Sequence, residues 1–189
     1  MKPREMLKGK VIQPTDLSDF RKKAKKLGKK VVFTAGGRDL LHVGQMRYLA
    51  EAKKQGDLLV VGVSSNNAIK SVKGPNKPIL DEWIRAESLA FLKSVDFVTI
   101  IPITSCQPTL ELLQPDVFVT VVEDWTEDYK ASKEYKTVME YGGKVEMVDR
   151  QSPFVSTTAI IHRMIGGELA GLLEQYSKQK DGPIKERSR

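Results

Sequence analysis

The sequence holds almost no cysteine and no long apolar run, and each absence excludes a class of protein. Cys106 is the single cysteine in 189 residues, so no intramolecular disulfide can form. Without a CxxC pair or a Cys/His cluster there is no signature of a structural zinc site, and a reducing, cytoplasmic setting is the expectation. No stretch approaches the roughly 20 apolar residues of a membrane helix, and the opening MKPREMLKGKVIQPTDL lacks the apolar segment of a secretory signal. A soluble protein with no membrane partner is expected. Internal repeats are also missing, and no RNA- or DNA-binding signature accompanies the net charge of +7. The positive residues crowd two places, Lys22 to Lys30 and Lys178 to Arg189, as solvated faces do, so a nucleic-acid partner is not expected.

What is present fits one folded domain. Apolar residues make up 40% and charged residues 29%, close to globular averages. We expect an N-terminal extension over 1–28 carrying an accessory helix that Gly28 stops, a main domain over 29–176, and a disordered basic tail over 177–189. Short runs rich in Val, Ile and Phe predict five strands, at 30–34, 57–63, 96–101, 116–122 and 144–148. Helical patterns lie between them, with apolar positions Val43, Met46, Leu49, Ala50 and Ala52 in the first, then 81–93, 108–113 and 127–141. Further helices are expected from Ser156 to Met164 and from Glu168 to Tyr176. Such alternation predicts an α/β fold, a Rossmann-like, doubly wound and mainly parallel five-stranded sheet with helices on both faces.

In such sheets ligands bind where the strand order reverses, and the turn after the first strand is the usual phosphate site. Here that turn is TAGGRDLLHVGQ, Thr34 to Gln45. Gly36 and Gly37 let the backbone approach a ligand, and the next helix offers free N–H groups and a positive dipole end to phosphate. His42 stands at its mouth, where an imidazole can donate to a phosphoryl oxygen and, if protonated, offset developing charge. Glycines also simply make turns, and a lone histidine also simply packs, so these residues alone leave both readings open.

The wider pattern resembles a known family. TAGGRDLLHVGQMRYLAEAKKQGDLLVVGV is similar to the strand and GxFDxxHxGHxxxL signature of the cytidylyltransferase-like nucleotidyltransferases. VKGPNKPI, EWIRAESLAFLKSVDFV, QPDVFVTVVEDW, YGGKVEMV and VSTTAIIHRM follow in the family's order. KGPNKPI, the YGG turn and STT most resemble the heptose 1-phosphate adenylyltransferases, whereas EDW resembles the glycerol-3-phosphate cytidylyltransferases. The resemblance implies transfer of a nucleoside monophosphate, AMP from ATP or CMP from CTP, to a phosphorylated sugar or polyol, with pyrophosphate released. Mg²⁺ would arrive on the triphosphate with no protein metal site, and homodimers or larger homo-oligomers are common in the family.

By position, the resemblance implies catalytic roles for His42, Gln45 and Lys73. It places Thr34, Ala35, Gly36, Gly37, Gly44, Arg85, Ser156, Thr157 and Thr158 at the nucleotide, and Arg38, Asp39, Asp124 and Trp125 on the acceptor side. Each has a bland rival: Lys73 as a solvated lysine in a loop, Arg85 as an exposed i to i+4 partner, Ser156 as an N-cap, Asp39 as a turn brace, Trp125 as packing.

Four departures fall at the site. The second histidine of HxGH is Gln45, the loop phenylalanine is Arg38, a usual asparagine is Ala35, and a glycine near EDW is Val122. Gln45 can donate to phosphate but cannot become cationic, a loss of about 1.5 to 3 kcal/mol in charge-assisted bonding. That is roughly a 10- to 150-fold slowing. A β-branched Val122 would crowd a ligand, so a nucleotide-binding pseudoenzyme stays open beside a working transferase.

Overall fold

The computed structural model describes residues 9–102, 104–121, 128–149, 151 and 156–180. They belong to two compact units, Met1–Pro153 and Phe154–Arg189.

In the first unit all five predicted runs become strands: β1 (Val31–Gly36), β2 (Leu58–Ser64), β3 (Phe97–Ile101), β4 (Val117–Val121) and β5 (Lys144–Val148). They pair in parallel in the order β3-β2-β1-β4-β5. Unbroken apolar runs suit this arrangement, because parallel strands are covered on both faces. Successive side chains go to opposite sides: Val32, Leu59, Val61 and Val63 into one core cluster, Val31, Phe33 and Val60 into the other. The first cluster is closed by α2 (Val43–Lys53) and α4 (Glu82–Ala90), the second by α1 (Leu17–Lys26), α5 (Gln107–Leu113) and α6 (Lys133–Glu140). The doubly wound reading therefore holds. Because β1 pairs with both β2 and β4, the order reverses between β1 and β4.

Helix α1 is built into the domain and is not an accessory. Leu17, Phe20 and Ala24 form one apolar stripe hidden among the lysines, with Leu17 and Ala24 buried and Phe20 edge-on to Phe97 at 4.8 Å. Arg21 adds a bidentate pair to Asp116, both bonds 2.8 Å, while Asp116 also accepts from Val31 N–H at 2.7 Å. Burial works against the Asp116 charge, but the Arg21 and Val31 bonds outweigh it and hold the carboxyl below its usual range. Gly28, at φ +63, closes the helix in the left-handed conformation, as expected. Before α1 the chain bonds to the outer edge of β3, Ile12 N–H to Val98 O and Val98 N–H to Lys10 O, which covers that edge.

Two helices depart from the sequence reading. In α2 the buried face is Gly44, Tyr48, Leu49 and Ala52, so Val43, Met46 and Ala50 look outward. Between β2 and α4 lies a helix the pattern did not announce, α3 (Asn66–Lys73), capped by Ser65, whose Oγ accepts from Ala68 N–H at 3.1 Å. Its mostly polar sequence buries only Ala68 and Ile69, too short a stripe to read as periodic.

The second unit contains α7 (Thr157–Lys180), one helix where two were expected. Gly166 and Gly167 cost about 1 kcal/mol each relative to alanine but do not break hydrogen bonding, and helix-forming residues flank them. The helix passes Tyr176, so the residues up to Lys180 are ordered where a disordered tail was expected. Residues 181–189 lie outside the described residues.

Candidate active site

The loop after β1 and the first turn of α2 meet at the point where the strand order reverses. Tyr48, on the buried face of α2, fixes this junction: its hydroxyl bonds Thr34 Oγ1 on β1 at 2.7 Å and donates to Val119 O on β4 at 3.0 Å. Thr34 is wholly buried, and its hydroxyl serves this junction. Tyr48 lies inside the quoted signature, yet nothing marked it; its spacing from Gly44, one helical turn, is the signal that was available.

His42 is the N-cap residue of α2 and makes no side-chain capping bond. Its Nδ1 is buried without a partner, as are Gln45 Oε1 and Arg38 Nε. Three polar atoms left unpaired by the protein within eight residues are unusual in a folded protein and make this the most polar unsatisfied stretch of the loop. Burial and then the positive charge of Arg38 lower the His42 pKa below its usual value, so the imidazole is neutral at pH 7. The neutral imidazole of the free protein can donate a hydrogen bond there. Gly44 is buried in the first turn of α2.

Asp39 and Arg85 hold the surrounding loops. The Asp39 carboxylate accepts from Ile79 N–H at 2.8 Å and Leu80 N–H at 2.9 Å, tying the segment after α3 to the β1 loop. The turn-bracing reading describes the contacts that Asp39 makes. Arg85 is neither an exposed helical partner nor free to face solvent: it is 1% exposed. It donates to Leu80 O at 2.9 Å, to Gly37 O, to Ser64 O at 2.8 Å and to Asn66 Oδ1 at 2.8 Å. Four of its five N–H groups are spent inside the fold, so in this structure it ties the loops together. Burial lowers its pKa, opposed by Asp39, Glu82 and Asp81. Asn66 and Asp81 extend the network, with Asn66 Nδ2 donating to Asp81 Oδ2 at 2.7 Å; Asn66 was not singled out in the sequence, and Asp81 only as the residue that opens the 81–93 helix, which it caps by accepting from Trp83 N–H.

The other candidates are placed as follows. Lys73 is exposed at the last turn of α3, not in a loop, with Gly74 at φ +89 beyond it. Ser156 belongs to the second unit, where its Oγ accepts from Ala159 N–H at 3.1 Å as an N-cap of α7, beside Thr157 and Thr158. Val122, Asp124 and Trp125 lie outside the described residues. Among the described residues no group of three or more His, Cys, Asp or Glu could hold a metal ion, and no helix is long and apolar enough to cross a membrane.

A glycine turn and a helix N-terminus meet at the reversal point of an all-parallel sheet, the place where α/β proteins of this class bind ligands. The profile of the cytidylyltransferase-like family matches residues 33–163, and the chain belongs to that family, a family of nucleotidyltransferases. It is 42% identical over 156 residues to the bifunctional protein HldE of Geotalea uraniireducens, covering 81% of this chain. It is 39% identical over 149 residues to that of Syntrophotalea carbinolica, covering 79% of this chain. The chain spans 30% of the length of each of these relatives. A solved structure, the lipopolysaccharide core biosynthesis protein from Thermoplasma volcanium, superposes with a TM-score of 0.54 at 28% identity, over 65% of this chain and 97% of that one.

Proposed function

We propose that the chain transfers AMP from ATP to a phosphorylated sugar, heptose 1-phosphate being the first candidate. A phosphate oxygen of the acceptor attacks the α-phosphorus, the bond to the β-phosphate breaks, and pyrophosphate leaves with the electron pair. No covalent intermediate on the protein is needed, so catalysis rests on placing charge and donors. The observation that carries this reading is the cluster of unpartnered buried atoms on His42, Gln45 and Arg38 at the mouth of α2. The free N–H groups of Val43, Gly44 and Gln45 and the helix dipole favour phosphate there, and neutral His42 adds a hydrogen bond. Arg85 and Asp39 act as positioning residues that hold the β1 loop against the segments around Ser64 and Leu80. Mg²⁺ would arrive bound to the triphosphate and offset part of its charge. Heptose as the acceptor is supported by the KGPNKPI, YGG and STT segments; self-association and a contribution of Lys73, Ser156, Thr157, Thr158, Asp124 and Trp125 are further parts of the proposal.

Pyrophosphate release from Mg²⁺ with ATP or CTP, against a panel of sugar and polyol phosphates, tests it. ATP with a sugar 1-phosphate is expected to turn over. CTP with a polyol phosphate as the sole active pair would replace the substrate assignment. Nucleotide binding without turnover for every pair would make the chain a pseudoenzyme.

A further inference from the structure

A charge is missing where the reaction needs one. Gln45 cannot become cationic, and burial and Arg38 both work against a charge on His42 in the free protein. Arg38 stands in the same loop in a conformation that the surrounding residues have been shaped to allow. Its backbone is left-handed, φ +50, unusual for a residue with a side chain. Its guanidinium lies over the Tyr48 ring with Cζ 5.0 Å from the centroid. A Cβ on Gly36 would come within 3.3 Å of Arg38 Nε and 3.4 Å of Cζ, so the absence of a side chain at 36 makes room for the arginine.

This cradle aims the group at the β1–β4 junction but leaves it loosely held. Its two bonds, to Thr34 Oγ1 and Ala35 O, are both 3.4 Å, longer than a well-formed N–H···O bond. Nε is buried with no partner. By contrast, Arg85 in the neighbouring network spends four N–H groups at good distances. One arginine is fastened as structure, and the other has only two long bonds and an unpartnered Nε.

We infer that Arg38 is the cationic catalytic residue of this site, its guanidinium bonding the phosphate oxygens of the substrate and supplying the charge that Gln45 lacks. The inference rests on the transferase reading above and names the residue on which it depends. A planar fork on an aromatic face suits a phosphate, since it presents two parallel donors without leaving the ring.

The test relocates the charge. Turnover and inorganic pyrophosphate affinity are measured for the wild type, Arg38→Gln, Arg38→Lys, Gln45→His and the Arg38→Gln/Gln45→His double variant, with melting temperature as the control for folding. Arg38→Gln is expected to lower kcat and weaken pyrophosphate binding by at least about tenfold each, with Arg38→Lys between it and the wild type. Gln45→His is expected to raise turnover at least about tenfold more in the Arg38→Gln background than in the wild type, because there it restores a missing charge. Independence of the two substitutions, or unchanged kcat and pyrophosphate affinity in Arg38→Gln, overturns the assignment. A wild type that never turns over while Arg38→Gln still weakens pyrophosphate binding refutes the transferase reading and leaves Arg38 as a phosphate ligand. An active wild type indifferent to Arg38 refutes the Arg38 assignment alone.

Discussion

Replacing Arg85 by methionine should damage the protein before any nucleotide is added. The side chain is 1% exposed and bonds Leu80 O, Gly37 O, Ser64 O and Asn66 Oδ1. These acceptors come from four segments: the loop after β1, the end of β2, the start of α3 and the approach to α4. Methionine fills a similar volume but leaves all four acceptors without this donor. At about 1 kcal/mol net for each bond, and somewhat more because the donor is charged, the loss is about 3 to 5 kcal/mol. For a domain of this size that lowers the melting temperature by roughly 6 to 20 °C. Urea titration of the apo protein is the assay: the midpoint should fall with little change in slope, because the surface exposed on unfolding is the same. Arg85→Lys should recover only part, since an ammonium cannot span four acceptors as a planar fork does. A loss below about 1 kcal/mol in the apo protein, with nucleotide affinity reduced instead, would refute the positioning role and return Arg85 to the phosphates.

Three further outcomes follow from the same contacts. Asp39→Ala should cost about 1 to 2 kcal/mol and strip hydrogen-exchange protection from the Ile79 and Leu80 amides; unchanged protection would contradict the brace. His42 has its folded pKa lowered by burial and by Arg38, so the unfolded chain binds the extra proton first as pH falls. Its contribution is present above about pH 6.5 and is lost as pH drops through the folded pKa, so His42→Gln should lose less stability than the wild type between about pH 7.5 and 5.5. Equal losses in urea titrations would contradict a neutral His42. Leu17→Ala should destabilise by about 2 to 5 kcal/mol, whereas an accessory α1 would give almost no change.

Most of the fold was legible because parallel strands advertise themselves as unbroken apolar runs, and all five did. Less visible was α3, whose short polar sequence buries two residues and depends on the Ser65 cap. Gly166 and Gly167 read as a break in α7, yet glycine only lowers helix propensity, and one helix continues through them. At the site, the TAGGRDLLHVGQ turn located the crevice and the resemblance named its family. Neither could say which polar residues face a ligand. Arg85 and Asp39 carry the charges expected of substrate contacts, but both bond backbone groups 40 or so residues away, buried Arg85 donating to Gly37 O and Asp39 accepting from Ile79 N–H. Arg38, an irregularity against the family pattern, is held by two 3.4 Å bonds and has an unpartnered Nε. Tertiary contacts of this kind have no local sequence signal.

The most direct measurement follows the phosphorus nuclei of one reaction, wild-type protein with Mg²⁺, ATP and heptose 1-phosphate, by ³¹P NMR. The expected result is loss of the sugar monophosphate signal in step with the rise of a sugar-linked diphosphate and of pyrophosphate. ATP and heptose 1-phosphate that persist unchanged beside protein that binds the nucleotide would contradict the account.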